Sequence, residues 1–324
     1  MSVAGLLLSD SRFPAGGHAH SGGVEPAVTA GAVTDLRTLE VFLRGRLRTA
    51  GLVAAGLAAA ACAHSRTEAR VPGGAGGAES RDEAGRPGRA DGAARDARSG
   101  LAGEQGNGTA GESAALVRDD GFWSELDAEA DARTPAPAQR EASRRQGRAL
   151  LRAARVAWPG AAGLAGLAGA AGSRGAGAAE TAGAMARPRG AGGPGAAAAT
   201  AEAGVNARQA RDDGSRPEYR GGPHHAVVLG AAAAAAGCDP RDAARIAAYQ
   251  SVAGPASAAV RLLALDPMRA TGVLARLAGE VEQIAEQGAA CSGGPPGDLP
   301  CPSAPALDLL AQAHARTEAR LFES

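Results

Sequence analysis

Leu36, Leu39, Leu43 and Leu47 recur at spacings of three and four, the period of one face of an α-helix. Thr34-Asp35 stands just before them, where a short polar side chain accepts from the first unpaired N–H groups, so a helix is predicted to begin there. Ala-rich sequence continues it toward Cys62. From Glu141 to Val156, Ala142, Gln146, Ala149, Leu150 and Ala153 mark a mostly apolar face, with Arg on the other side. Asp239-Pro240 and Asp266-Pro267 each read as an N-cap Asp followed by Pro at the first helical position, where a missing N–H costs nothing. Val273, Leu274, Leu277, Val281 and Ile284 carry the second of these helices onward at helical period. A last helix is expected from Leu307 to Phe322, with Leu310, His314, Thr317 and Leu321 on one face. Gly254-Pro255 and Gly294-Pro295-Pro296 read as breaks between elements. No run of alternating β-branched residues occurs, so the expected class is all-α.

Two segments interrupt this pattern. Residues 71–110 and 159–222 are dense in Gly, Ala, Arg and Asp and nearly lack large apolar side chains. Too little apolar surface is available there to offset chain entropy, so both are read as disordered insertions, with Leu164 and Leu167 able to extend a preceding helix slightly. Setting the insertions aside leaves roughly 220 residues, a size that one helical domain accommodates.

Composition narrows the chemistry. The chain has 34 basic and 34 acidic residues, so no net charge draws it to nucleic acid or an anionic membrane. Every basic residue is Arg; the absence of Lys excludes a Walker A phosphate loop, a pyridoxal phosphate Schiff base and ordinary protein-kinase chemistry. Aromatic residues make up 2%, so Ala, Leu and Val must build the core, which favours closely packed helices. Four Cys (Cys62, Cys238, Cys291, Cys301) are too scattered for a disulfide framework. The opening apolar run lacks a basic flank, and the Ala-rich stretch from Ala226 to Cys238 is too short to cross a bilayer. A cytoplasmic protein with no membrane segment is the expectation.

Candidate chemistry is thin. His18-Ala-His20, Cys62-Ala-His64 and His224-His225 contain metal-ligand types, but none has the spacing of a closed zinc site. A transient metal contact at His18 or His20 is the best of these, and no permanent metal site is expected. Ser9-Asp10-Ser11 near His18 and His20 has the residue types of a hydrolase without a nucleophile elbow. Arg144, Arg145 and Arg148 read as a solvated helix face, and no catalytic residue is assigned.

One resemblance organises these fragments. The stretch from Leu6 to Glu25, with Ser9, Asp10, Pro14, Gly16, Gly17, His20, Ser21, Gly23 and Glu25 at its core, closely resembles the opening block of the UreF family of urease accessory proteins. Arg140-Glu141-Ala142-Ser143 with Gln146-Gly147-Arg148-Ala149-Leu150-Leu151 is similar to that family's R-E-A-S helix, and His225 to Gly230 resembles its H-x-V-V-x-G element. Ala258 to Leu262, and Pro305-Ala306-Leu307-Asp308 with His314 and Arg320 to Ser324, resemble two further blocks in the family's order. The chain departs from the pattern at Ala264-Leu265-Asp266-Pro267, where many relatives carry P-L-G-Q, and at His18, where Phe is frequent.

The resemblance implies an all-α helical bundle that is not an enzyme and holds no cofactor of its own. It implies a scaffold that dimerises, binds UreD (also called UreH), recruits the GTPase UreG, and docks on apo-urease for GTP-linked nickel insertion. GTP would be bound by UreG, in keeping with the missing Lys. Glu25, Arg261, His314, Arg320 and Phe322 are the implied partner-contact residues, with a buried salt bridge or packed terminus as the competing structural explanation. The alternative function is a metallochaperone binding nickel directly through His18 and His20.

Overall fold

A computed structural model describes residues 2–10, 20–69, 110–170, 222–317 and Phe322, with backbone alone for 110–120. Among these residues there is no β-strand, and the all-α expectation holds. The helices are α1 (Val3–Ser9), α2 (Val24–Thr29), α3 (Leu36–Arg46), α4 (Leu52–Glu68), α5 (Ala110–Ala132), α6 (Pro137–Ala157), α7 (162–170), α8 (His225–Ala235), α9 (Pro240–Leu263), α10 (Pro267–Ala290) and α11 (Pro305–His314). A five-residue π-turn, Leu47–Gly51, joins α3 to α4 without a break in the rod.

Local sequence sets these boundaries as expected at several ends. Asp35 accepts from Thr38 N at 2.8 Å, and the Thr38 hydroxyl answers the Asp35 N–H at 3.0 Å, a reciprocal cap that fixes the start of α3. Asp239 and Asp266 cap α9 and α10, each followed by Pro at the first helical position.

The centre of the fold is α4, whose buried residues run around the whole helix, from Val53 through Ala55–Cys62 to Ser65. One apolar cluster lies against its Leu57, Ala61 and Cys62 side and gathers Trp123, Leu126, Leu150, Leu164, Leu167, Leu229 and Ile246. The other takes in Ala55 and Ala59 with Leu39, Leu43, Leu47, Val252, Val273 and Leu277. Helices α8, α9 and α10 all pack on α4, and α6 backs α8. Ala is what allows this: with no side chain beyond Cβ, helix axes approach closely. The limit is reached at Gly230 of α8, where a Cβ would collide with the Ala58 carbonyl of α4. The rod Leu36–Glu68 is long and apolar enough to cross a membrane, but 61% of its most apolar window is buried inside the protein, which marks it as a core helix.

Four expectations need correction. Residues 159–170 are not part of an insertion: after a turn at Gly160 they form α7, whose Leu164, Leu167 and Ala170 are buried beside Trp123. Leucines three apart supply enough apolar stripe to hold this short helix on the core, and it is separate from α6 rather than an extension of it. Pro255 does not break the chain but lies inside α9. The last helix ends at His314 rather than Phe322. Finally, α6 buries Ala142, Arg144, Gly147, Leu150 and Ala154, a face rotated from the expected one, because Arg144 turns inward to meet acids. The expected insertion at 71–110 falls almost wholly outside the described residues, with only Ala110 described, at the start of α5.

Candidate partner-binding site

The N-terminal block and the chain's end meet. Gly22 and Gly23 take positive φ (59° and 86°), a conformation that side chains resist, and so turn the chain into α2. Glu25 then falls in the first turn of α2, where the helix dipole favours a carboxylate, yet it is 7% exposed. A buried carboxylate needs donors, and the far end of the sequence supplies them. Phe322 donates its N–H to Glu25 Oε2 at 2.9 Å, and His314 Nε2 lies 3.3 Å from the same oxygen. The His314 Nε2 also lies 3.3 Å from the Phe322 carbonyl oxygen. The Arg261 guanidinium of α9 stands 4.6 Å from the centre of the Phe322 ring, in cation–π contact. Four of the five residues singled out from sequence are thus brought to one place; Arg320 lies outside the described residues. Their geometry is that of a packed terminus, tethered through about 300 residues of sequence separation.

Beside this tether opens a cleft of about 570 Å³, with Leu8, His20, Arg46, His225, Tyr249 and Asp308 among its walls. Burial, with His20 nearby, pushes His225 down to about 4, so it is neutral near pH 7. Burial likewise lowers Arg46 to about 10, and raises the Asp308 carboxyl.

Behind the cleft a buried polar network starts α8. His224 donates its N–H to Asp127 Oδ1 at 2.8 Å, and His225 donates its N–H to Ser143 Oγ at 3.2 Å, so two other helices cap α8. The His224 ring spans Ser143 Oγ (3.0 Å from Nδ1) and Asp131 Oδ1 (2.9 Å from Nε2). Arg144 pairs with Asp127 at 2.9 Å and Asp131 at 2.6 Å, and also donates to the Gly222 carbonyl. Desolvation would raise Asp131, but the His224 hydrogen bond and the Arg144 charge outweigh it and hold the carboxyl well below the usual range. Arg144 is raised in turn, since Asp127 and Asp131 outweigh its own desolvation.

Aspartate, histidine and serine in a row suggest a nucleophile relay, but the surroundings give them another task. Ser143 sits mid-helix in α6, its neighbours' N–H groups engaged in the helix, and its Oγ receives the His225 N–H. Among the described residues around Ser143, the neighbouring N–H groups belong to the α6 helix and form no oxyanion pocket. The arrangement caps a helix. The solvated-face reading of Arg144 is therefore wrong for that residue, while Arg145, 40% exposed and paired with Glu141, fits it.

The remaining metal-type residues separate. Cys62 is fully buried, its thiol pushed up to about 12 by desolvation, and its Sγ meets the Cys238 carbonyl at 3.5 Å. His64 stacks on Phe122 at 3.8 Å and pairs with Glu68 at 3.0 Å. His20 is on the cleft wall, and His18 lies outside the described residues. Among the described residues no three His, Cys, Asp or Glu side chains are grouped to hold a metal.

These features define an all-helical protein in which Glu25 of α2 meets His314 and Phe322 beside a cleft. Its sequence relatives make the assignment specific. The UreF family profile matches residues 109–278. The urease accessory protein UreF of Mycobacterium sp. (strain JLS) is 34% identical over 319 residues, covering 98% of this chain and 97% of that protein. The proteins of the same name from Mycolicibacterium vanbaalenii and Mycobacterium tuberculosis (strain ATCC 25618 / H37Rv) are 34% and 33% identical over the same length and shares. The chain belongs to the UreF family.

Proposed function

We propose that this chain is a scaffold in urease maturation, acting through binding rather than catalysis. In this reading it joins UreD/UreH and the GTPase UreG on apo-urease, as a homodimer within the complex, and the assembly inserts nickel at the expense of GTP bound by UreG. The observation that supports it best is the likeness, over nearly the whole chain, to urease accessory proteins named UreF. The contact of Glu25, Arg261, His314 and Phe322 holds Phe322 against α2, beside the cleft. The buried network of Asp127, Asp131, Ser143, Arg144 and His224 adds rigidity to the cleft's rear wall rather than a reaction centre.

Co-purification with UreD/UreH and UreG, using the full chain and one lacking residues 305–324, tests the proposal. Binding that is lost on truncation is expected. A full-length chain that binds neither partner, yet titrates stoichiometrically with nickel in a manner abolished by His18→Ala/His20→Ala, would overturn it in favour of a metallochaperone.

A further inference from the structure

Arg46 is unlike the arginines around it. Arg44, two residues earlier, pairs with Glu40 at 3.0 Å and Glu280 at 3.1 Å, and Arg48, two residues later, also pairs with Glu280. Arg46 points to the other side, into the cleft, and among the described residues no carboxylate lies within ion-pairing distance. Among the described residues its one hydrogen bond runs from Nε to the Ser251 carbonyl oxygen at 3.0 Å. That carbonyl is available because Pro255, four residues on in α9, has no N–H to offer it. On the opposite side the Gly22 backbone lies against the guanidinium; a Cβ there would be 3.3 Å from both Cζ and Nε. The side chain is therefore held by its Nε edge, while its two terminal nitrogens keep four N–H groups with no acceptor among the described residues.

Arg46 is half-buried, and a guanidinium partly withdrawn from water without an anion is costly; its fork matches a carboxylate with two parallel hydrogen bonds. Burial with no compensating charge is also what lowers its pKa to about 10. Other cations on the cleft wall are differently engaged. Arg133 donates to the Leu299, Pro300 and Gly297 carbonyls and pairs with Glu129, and Arg261 lies on Phe322. The cleft, with apolar walls from Leu8, Val53, Leu57 and Leu229, is far larger than a lone inorganic anion fills.

We propose that Arg46 is the receiving group for an Asp or Glu side chain of a protein partner, inserted into this cleft with its flanking apolar residues on the cleft walls. The inference rests on the scaffold reading above, because it needs a protein that docks here. It makes Arg46 a specificity-determining residue: an acidic side chain neutralises it, whereas an apolar or basic one covers it and leaves its charge uncompensated.

The test is the affinity of the full chain for its accessory partners, with Arg46→Gln and Arg46→Lys beside wild type and thermal melts confirming that each variant folds. Gln keeps an N–H donor but no charge, and Lys keeps the charge but not the fork. Arg46→Gln is expected to weaken binding roughly 30-fold or more, with a shallower salt dependence than wild type, and Arg46→Lys to fall between. Equal affinity of wild type and Arg46→Gln overturns the inference while leaving the scaffold reading intact. Wild type binding no partner overturns the scaffold reading and the inference together. Saturable binding of sodium acetate or phosphate to the isolated chain, lost in Arg46→Gln while partner affinity is unchanged, assigns the site to a free anion and also overturns it.

Discussion

Replacing Arg144 with Met removes the guanidinium while keeping most of the side chain's volume. The structure sets the size of the effect. Asp127 is fully buried and loses the partner at 2.9 Å; Asp131 loses one at 2.6 Å; the Gly222 carbonyl loses its donor. Breaking a buried pair from one side costs about 3–5 kcal/mol, because the remaining charge stays buried without compensation. Asp127 keeps the His224 N–H at 2.8 Å, which places the expected loss near the lower end, about 3 kcal/mol. For a chain of this size that corresponds to a drop in Tm of roughly 6–12 °C, followed by circular dichroism at 222 nm. Arg145→Met is the internal control: its partner Glu141 is 58% exposed, so the expected change is about 1 kcal/mol or less. Adding Asp127→Asn to Arg144→Met removes the stranded charge and should recover part of the loss. If Arg144→Met melted like Arg145→Met, the buried network would not be holding the start of α8, and the capping argument would fail.

Three further outcomes follow from particular contacts. Gly230→Ala should destabilise by about 3 kcal/mol, since its Cβ meets the Ala58 backbone, whereas Gly279→Ala, with open space around it in α10, should stabilise by about 0.5–1 kcal/mol; chemical denaturation distinguishes them. His225 has a folded pKa near 4 against an ordinary 6.5, so the unfolded chain binds the extra proton and stability falls on acidification between those values, by up to about 3 kcal/mol. Above pH 6.5 this contribution is fully present, and His225→Gln should flatten that part of a stability–pH curve, while Asp131 extends the loss below pH 3.8. Glu25→Gln should loosen the chain's end, because the Phe322 N–H loses a charged acceptor; carboxypeptidase is expected to trim the variant roughly tenfold faster or more.

The helices most legible in the sequence are those with large aliphatic stripes or explicit caps. Leu39, Leu43 and Leu47 are fully buried as their spacing requires, and Asp35, Asp239 and Asp266 each cap the helix they precede. Helix α7 was obscured because only Leu164 and Leu167 stand out from Gly and Ala, and their burial depends on Trp123, distant in sequence. Pro255 reads locally as a break, but the carbonyl it leaves unpaired is satisfied by Arg46, more than 200 residues away. Likewise nothing in local sequence distinguishes Arg144 from Arg145, since what separates them is the placement of Asp127 and Asp131 on another helix. At the candidate site, Glu25, His314 and Phe322 were recognisable only as parts of family-like blocks; their meeting is a property of the fold. Tertiary partners, which local pattern does not encode, account for each of these differences.

The scaffold account is tested most directly by the nickel content of urease produced beside its accessory proteins, with this chain present, absent, or carrying Glu25→Ala. The account predicts nickel-loaded urease with the wild-type chain, apo-urease without it, and a marked loss with Glu25→Ala in step with weakened UreD/UreH binding. Urease fully loaded with nickel in the chain's absence, under the same metal supply, would contradict it.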